Sequence, residues 1–384
     1  MKVRYILSHI AVALLATVVT LFVVVPKQDL NVLKLQQLKA IIDAEFVEKE
    51  YDQVAMYDAA AAAMVESLGN RWSYYISAEE YGSYEERREN IYVGIGVTIS
   101  TREDGYIDIQ RVEPDGPAYE VGILPGDILV AVEGADVANM SLDEVRNMVS
   151  GEAGTQVQLQ LRRGEETITL SPYRRAIQVA VTTGTMLEGN VGLVQIANFD
   201  DRCKTETIAV IEELIGQGAK ALIFDVRYNP GGYTREMVGL LDYLLPEVVV
   251  FRSQDRDGNE TLKHSDANCL DMPMAVLLNA DSYSAAELFA VGLQEYDAAI
   301  VVGEPSMGKC HYQYTYELFD GSAVLLSAGS YTSPKGVNLE GAGVTPDVVA
   351  PVDEEMYWKI YAGYVTPQED PQIQAALNAL KTQE

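Results

Sequence analysis

Between residues 174 and 352 the chain alternates short, continuously apolar runs with helical segments, and this pattern restricts the possible folds most. The apolar runs are "ALIFDVR", "MAVLLN" and "AAIVVG", and amphipathic stretches near 205–217 and 235–245 separate them. A strand without polar alternation is typical of a parallel sheet that is covered by helices on both faces. The pattern therefore predicts an α/β domain with a mostly parallel central sheet.

The segments on either side have other patterns. Residues 91–173 contain alternating runs such as "YIDIQRV", which predict strands, and a short helix opened by an S-x-x-E capping box at Ser141 and Glu144. We therefore expect a compact β-rich module there. Residues 27–90 have apolar spacing of three to four and an alanine run, which predict a helical region. Residues 353–384 read as a peripheral C-terminal tail that ends in one helix.

The N-terminus carries a long uncharged run. Lys2 and Arg4 precede Ile6–Val25, whose 20 residues have no formal charge, enough to cross a bilayer as a helix. The run ends in three valines, whereas a cleaved signal peptide ends in small residues. Residues 1–26 are thus predicted to be an uncleaved single-pass anchor in preference to a cleaved signal. The positively charged residues before the run place the N-terminus in the cytoplasm and the remaining chain outside it.

Composition excludes some classes of partner. The formal net charge of −29 argues against nucleic acid as a partner. Three cysteines without a CxxC pair give no disulfide framework, and three scattered histidines give no convincing metal site. We expect neither a metal nor a cofactor.

Ser284 is the first candidate for chemistry, because it stands where a buried strand gives way to a helix. A hydroxyl at such a turn can attack a carbonyl while free amides at the helix N-terminus stabilise the oxyanion. The alternative is that Ser282 or Ser284 only caps the helix.

Lys309 is the candidate base for this serine. It follows the run "AAIVVG" in a stretch otherwise free of charge, which predicts partial burial, and desolvation favours the neutral amine. An exposed loop lysine is the alternative.

The "NPGG" segment leaves bare backbone at Gly231 and Gly232, which could donate an amide to an oxyanion or simply form a β-turn.

A nucleotide-binding loop is excluded at Gly303–Lys309, although these residues match the first seven positions of G-x-x-x-x-G-K-[ST]. Cys310 occupies the position of the Mg²⁺-binding hydroxyl. The following "CHYQYTYEL" also alternates like a strand, whereas a phosphate-binding loop leads into a helix.

Together these segments resemble the carboxyl-terminal processing peptidases, the tail-specific serine proteases of family S41. The family pattern D-x-R-x-N-x-G-G occurs at 225–232, N-x-x-S-A-S-A-x-E at 279–287 and G-K-x-x-x-Q at 308–313. The closing motif matches "GVTPDVV" at 343–349, and "GNRWSYYISAEEY" at 69–81 is similar to the segment before the inserted domain of the family. Two departures are Tyr283, where a small residue is usual, and Cys310, where glycine is common.

The resemblance implies an α/β protease core of the crotonase/ClpP-like ββα type at 174–352, with an inserted PDZ domain, an N-terminal helical region and one transmembrane helix. It implies Ser284 as nucleophile, Lys309 as base and Gln313 as the residue that orients Lys309. Positions 309 and 313 of an ideal strand lie roughly 13 Å apart. The chain therefore has to bend between them if Gln313 is to orient Lys309. The implied oxyanion hole consists of amides from Gly231 or Gly232 and Ala285.

Residues 91–173 resemble a PDZ domain through "GIGV" and "GPAYEVGILPGDILVAVEG". The resemblance implies that a peptide adds as a strand and that its terminal carboxylate binds the amides of Ile95, Gly96 and Val97. It also implies that the pocket for the last peptide side chain is lined by Leu142, Val145 and Met148. Candidates for relaying peptide occupancy, or else plain surface charges, are Arg111, Arg162 and Arg163.

The sequence as a whole predicts a membrane-anchored, PDZ-gated serine endopeptidase that recognises the free C-termini of protein substrates outside the cytoplasm. By resemblance, the N-terminal helices pair subunits into a homodimer. One alternative is an inactive scaffold that binds C-termini through the PDZ module. Another is an acyl-CoA enzyme of crotonase-like architecture, which requires neither this serine and lysine nor an inserted peptide binder.

Overall fold

Residues 29–102 and 104–381 are described by the computed structural model of this chain. The predicted membrane segment Ile6–Val25 lies outside them, and within them no helix combines the length and hydrophobicity that a bilayer span requires. The chain divides into two compact units, residues 1–61 and 62–384. Helix α1 (Leu30–Glu45) begins after the N-cap Asp29, and α2 (Gln53–Glu66) follows it along the chain.

The remaining elements belong to the second unit. Its helices are α3 (Ala78–Arg88), α4 (Pro117–Glu120), α5 (Leu142–Val149), α6 (Cys203–Gly216), α7 (Thr234–Leu244), α8 (Ala285–Glu295), α9 (Glu354–Tyr361) and α10 (Pro371–Leu380). Its strands are β1 (Tyr74–Ile76), β2 (Ile91–Gly94), β3 (Val97–Thr101), β4 (Ile107–Val112), β5 (Ile128–Val132), β6 (Ala135–Asp136), β7 (Leu159–Arg163), β8 (Glu166–Leu170), β9 (Arg175–Gln178), β10 (Thr182–Leu187), β11 (Val191–Ile196), β12 (Ala221–Asp225), β13 (Val249–Asp255), β14 (Glu260–His264), β15 (Met274–Leu278), β16 (Ala299–Gly303), β17 (His311–Glu317), β18 (Ala323–Thr332) and β19 (Val348–Val349).

The central sheet has the order β10-β11-β12-β15-β16-β19. Only the β10–β11 pair is antiparallel among the described strands of this sheet, which confirms the mostly parallel sheet. Successive residues of β12 point to opposite faces: Phe224 packs in the cluster that contains α6, α7 and α8, and Ile223 packs in the cluster that contains α10. Both faces are therefore covered, which explains the continuous apolar runs.

The helix predicted near the C-terminus is present as α10, but the prediction that this tail is peripheral is wrong. This helix buries Ile373, Ala376 and Leu380 against the second face of the central sheet. Arg227, which follows β12, makes an ion pair with Asp370 in the tail, with 2.8 Å between its Nη1 and Oδ2. The tail is thus part of the core, and local pattern does not reveal this because its partners lie far away in sequence.

A second, antiparallel sheet has the order β1-β18-β13-β14, with β17 also paired to β18. The sequence analysis assigned no separate sheet, and it placed Tyr74–Ile76 in a helical region. That segment is the edge strand β1, with Tyr75 opposite Val324. Because β17 begins at His311, this sheet carries the segment that follows Lys309.

The β-rich module is present as predicted, with the sheet order β3-β4-β5-β7-β8 and β6 paired to β5. It has a core of its own, which includes Ile107, Val145 and Leu159. Both hydrogen bonds of the predicted capping box at α5 are present. The chain enters the module along β2 and leaves it along β9, and these two strands pair with each other.

Candidate active site

Ser284 occupies the N-cap position of α8 in a conformation that is rare for a residue with a Cβ atom. Its φ is 63° and its ψ is −122°, a combination that costs free energy and that surrounding contacts must enforce. The Ser282 hydroxyl donates to the Val226 carbonyl at 2.7 Å, and the Tyr283 amide donates to the Asn229 carbonyl at 3.1 Å. Ser282 therefore holds the turn on which Ser284 lies.

The Glu287 carboxylate joins this turn to the lysine loop. Its Oε2 accepts from the backbone amides of Ser284 at 2.9 Å and Lys309 at 2.8 Å. Its Oε1 accepts from the amide of Gly308 at 2.7 Å and the hydroxyl of Ser306 at 2.5 Å. Burial raises the pKa of Glu287, and these four hydrogen bonds oppose the rise. One buried side chain thereby fixes the distance between the nucleophile turn and the lysine loop.

Lys309 is buried, with 8% of its surface exposed, and its amine points to Gln313. Nζ donates to Gln313 Oε1 at 2.7 Å, and the Gln313 amide donates in turn to the Trp72 carbonyl. The register of β17 against β18 shifts between Tyr312 and Gln313. This bulge lies where the chain has to bend for the contact that the resemblance implies between positions 309 and 313.

Burial lowers the pKa of Lys309 to about 8, while Glu287 and Glu340 favour the ammonium and Arg71 disfavours it. A substantial neutral fraction at mildly alkaline pH suits a general base. Within the described chain, no hydrogen bond links Lys309 Nζ to Ser284 Oγ in this conformation, and the amine donates to Gln313 instead.

Tyr331 lies between the nucleophile and the base. Its buried phenol donates to the Lys309 carbonyl. Burial raises the pKa of Tyr331 well above its ordinary value, and hydrogen bonding with the Ser284 side chain moderates this rise. The Ser284 hydroxyl thus lies against Tyr331.

The backbone amides that are predicted to form the oxyanion hole differ in whether they already donate a hydrogen bond. The amide of Gly231 already donates to Asn229 Oδ1 at 2.8 Å, so it is not free in this conformation. The amides of Gly232 and Ala285 have no hydrogen-bond acceptor within the described chain. Gly232 has a φ of 145°, and a Cβ there would lie 2.3 Å from the Phe199 carbonyl oxygen. Only glycine fits at this position.

The predicted peptide-binding residues of the module fall into two groups. The carbonyls of Ile95 and Gly96 accept from backbone amides of the module, and β3, which begins at Val97, is an edge strand. Of the three predicted pocket residues, Leu142 and Met148 are half-buried, but Val145 is fully buried in the module core. Val145 therefore does not line an open groove here, because its position in α5 faces inward.

The candidate relay arginines pair within the module. Arg111 contacts Glu113, Arg162 contacts Asp104, and Arg163 contacts the buried Asp127. None of these described pairs reaches the protease core.

The structure also shows where the two residues that depart from the family pattern lie. Cys310 is buried in the main core, and the ring of Tyr283 stacks on that of Trp72.

Sequence reasoning assigned no role to Glu287, Tyr331 or Trp72. The S-x-x-E spacing of Ser284 and Glu287 is itself a capping-box signal and could have singled out the glutamate. Tyr331 and Trp72 lie on distant segments, and no local pattern marks them as neighbours of Lys309.

Comparisons with known proteins identify the family of each domain. Residues 190–350 match the model of peptidase family S41, and residues 109–163 match a PDZ domain model. The chain is 30% identical over 320 residues to the carboxy-terminal processing protease CtpA of Bacillus subtilis, covering 83% of this chain and 68% of that protein. It is 29% identical over 326 residues to the "Probable CtpA-like serine protease" of Staphylococcus epidermidis, covering 84% and 66%.

A solved structure shares the fold. It comes from Bacteroides fragilis and is named for the S41 proteases; it matches with a TM-score of 0.59 at 16% identity, covering 91% of this chain and 97% of that one. The chain spans about two thirds of the length of the curated relatives above. The ordered motifs, the matches to two domain models and the identity to CtpA of Bacillus subtilis lead to one conclusion: this chain belongs to peptidase family S41, among the CtpA-like carboxy-terminal processing serine proteases.

Proposed function

We propose that this chain is a serine endopeptidase in which Ser284 is the nucleophile, Lys309 the general base and Gln313 the residue that orients Lys309. The observation that carries the proposal is the Glu287 bridge, because one carboxylate oxygen binds the backbone amides of both Ser284 and Lys309. The amine of Lys309 is also desolvated and held by Gln313, as a lysine base requires.

In the proposed reaction Ser284 Oγ attacks the scissile carbonyl carbon while neutral Lys309 accepts the hydroxyl proton. The flexible lysine side chain moves its Nζ from Gln313 towards Ser284 for this step. The ammonium then gives the proton to the leaving amine, and an acyl-enzyme ester remains on Ser284. Lys309 next takes a proton from the water that attacks the ester carbon. As the bond between that carbon and Ser284 Oγ breaks, the ammonium returns the proton to Oγ, and the new C-terminus is released.

Gly232 and Ala285 are the proposed oxyanion donors, because neither amide has an acceptor among the described residues. Ala285 directly follows Ser284, and Gly232 directly follows Gly231, where an added Cβ would lie 2.7 Å from Ser284 Cβ. Backbone donors that are fixed before the reaction stabilise developing negative charge without reorganisation. The Gly231 amide would contribute only after leaving Asn229.

The dyad is tested by digestion of an unstructured protein that ends in apolar residues. Ser284→Ala and Lys309→Met are each expected to lower kcat/KM by at least about 10³-fold, whereas Lys263→Met on the exposed strand β14 leaves it unchanged. Undiminished cleavage by Ser284→Ala contradicts the proposal. If the wild-type chain binds C-terminal tails without cleaving them, the scaffold interpretation replaces it.

Substrates are proposed to be captured by their free C-termini at the PDZ module. The edge strand β3 leaves a free side for a peptide strand, and no described acceptor occupies the amides of Ile95 and Gly96. A peptide ending in apolar residues is expected to compete with substrate, and its C-terminal amide to compete at least about tenfold less well, since it lacks the carboxylate. Equal competition by the two peptides would remove the proposed carboxylate site.

Gating by the PDZ module is proposed to pass through Asn90, which precedes β2. Its side-chain amide donates to Asn198 and Asp200, both at 2.9 Å. Between these residues, the Phe199 amide donates to the Gly231 carbonyl at 2.8 Å, so the module connects to the oxyanion loop. Asn90→Ala is expected to lower stimulation by tail peptides while tail affinity stays the same, and the exposed Asn378→Ala serves as control. Full stimulation of Asn90→Ala excludes this route.

Membrane anchoring, an extracytoplasmic site of action and a homodimer also remain proposals. Apolar side chains along α1 are exposed and support pairing between subunits; they include Leu30, Leu35, Leu38 and Ile41. Protease accessibility in intact cells tests the orientation, and light scattering of the full-length chain tests the dimer. Protection of the catalytic unit, or a monomer at every concentration, would overturn the respective proposal.

A further inference from the structure

Two aromatic rings enclose the amine of Lys309. Lys309 Nζ lies 4.8 Å from the ring centroid of Trp72 and 5.6 Å from that of Tyr283. The two rings stack on each other, with 6.2 Å between centroids and 25° between planes. Gln313 accepts a hydrogen bond from the same amine. The amine therefore has an amide oxygen and two ring faces as neighbours.

The segment that carries Trp72 is held in place through Asn70, and the indole Nε1 donates to Glu340 Oε1 at 3.5 Å. The Ser73 amide donates to the Asn70 carbonyl, and the Ser327 hydroxyl on β18 donates to Asn70 Oδ1 at 2.9 Å. The Trp72 carbonyl receives the Gln313 amide. Backbone and side chain of Trp72 thus act separately: the carbonyl fixes Gln313, whereas the ring covers Lys309. A substitution at position 72 removes the ring and leaves the carbonyl.

The rings have two opposing effects on the charge of the amine. They exclude water, which disfavours the ammonium, and their faces attract a cation, which favours it. The charged groups that face the amine are Glu287 on α8 and Glu340 in the loop before β19, which favour the ammonium, and Arg71, which disfavours it. Arg71 lies over the Trp72 ring at 4.1 Å. Burial is the largest of these influences and lowers the pKa of Lys309 to about 8.

We propose that Trp72 and Tyr283 are positioning residues that act through Lys309, because their rings form a dry cover that increases the uncharged fraction of its amine at neutral pH. The proposal rests on the proposed function, in which Lys309 is the base. Loss of either ring admits water to the amine and favours the ammonium.

The first test is the pH profile of kcat/KM for the full-length chain. Trp72→Ala and Tyr283→Ala are each expected to move the acid limb to higher pH by about one unit, which is about a tenfold loss of activity at neutral pH that alkaline pH restores. Trp72→Phe retains a ring and is expected to move the limb less. The control is Tyr314→Ala, an exposed tyrosine on β17. An unchanged limb, or one that moves to lower pH, overturns the proposal, whereas a purely structural defect lowers the rate equally at every pH.

A second readout does not depend on activity. In full-length Ser284→Ala, the amine of Lys309 is acylated with trace acetic anhydride over a pH series and quantified by mass spectrometry, with exposed Lys263 as internal reference. Removal of either ring is expected to move the midpoint of Lys309 labelling upward by about one pH unit. An unmoved or lowered midpoint overturns the aromatic cover even if cleavage is confirmed. An upward midpoint in a chain that never cleaves refutes the proposed function alone.

Should Trp72→Ala fail to fold, as a thermal melt would show, Tyr283→Ala and Trp72→Phe carry the same test. Tyr283 lies in a loop before α8, and its ring is half-buried. Its removal leaves the hydrogen bonds of its backbone amide unchanged. A midpoint that stays constant in both of these variants overturns the proposal.

Discussion

Ser284 and Lys309 are both held in states that the isolated residues disfavour. Ser284 has a positive φ with a Cβ atom present, and Lys309 keeps its amine away from water. Such costs are typical of functional sites, where the rest of the fold supplies the compensating free energy. Substitutions that relieve either cost are therefore expected to stabilise the chain while they abolish cleavage.

Replacement of Ser284 by glycine or by alanine separates strain from chemistry. Both variants lack the hydroxyl, so neither cleaves, but only glycine adopts φ 63° without a steric penalty. Ser284→Gly is expected to be about 1 kcal/mol more stable than Ser284→Ala, measured by thermal melts of the two variants. Equal stability, or a more stable alanine variant, would show that the backbone of this turn is unstrained.

Lys309→Met tests the cost of the buried amine. The folded pKa of Lys309 is lowered, so its amine destabilises the folded state fully below about pH 8, and the penalty shrinks as the pH rises towards the ordinary lysine value. The variant is therefore expected to be about 1–2 kcal/mol more stable than the wild type at about pH 6, after the lost Gln313 hydrogen bond is subtracted, and the gain is expected to decrease at about pH 9. A destabilised variant at the lower pH would contradict this account.

Among the helices and strands, the tail helix α10 is the one whose structural role is least evident from the sequence pattern. Asp370 caps α10 by accepting from the amides of Gln372 and Ile373, and it also pairs with the buried Arg227. Burial alone would lower the pKa of Arg227, but Asp225 and Asp370 raise it. Arg227 precedes the turn that contains Asn229 and Gly231, so α10 supports the oxyanion loop from the opposite face of the sheet.

Asp370→Ala removes both the cap and one partner of a buried guanidinium. We expect it to cost about 3 kcal/mol of stability, because Arg227 retains Asp225 but loses its second carboxylate. The matched control is Asp353→Ala, which removes the exposed N-cap of α9 and is expected to cost about 1 kcal/mol. Denaturant melts measure both. Equal losses in the two variants would mean that the pair with Arg227 contributes nothing.

At the scale of the whole molecule, local sequence patterns predict those structural features that are determined by residues close together in sequence. Continuous apolar runs predict the parallel sheet around Phe224, and the box at Ser141 predicts α5. The edge strand Tyr74–Ile76 and the burial of α10 depend on partners that lie far away in sequence, so periodicity could not reveal them. The same holds within the site, where motif order predicts Ser284 and Lys309 and the S-x-x-E spacing marks Glu287, whereas Tyr331 and Trp72 reach them only through folding.

The central claim is that Lys309 activates Ser284, and reaction of the full-length chain with a fluorophosphonate tests it most directly. Mass spectrometry is expected to find one adduct, on Ser284, whose rate of formation rises with pH through about 8. Lys309→Met is expected to slow this labelling by at least about 10³-fold, while Lys263→Met has no effect. Labelling of Ser284 at the wild-type rate in Lys309→Met, or an adduct on another residue, would contradict the account.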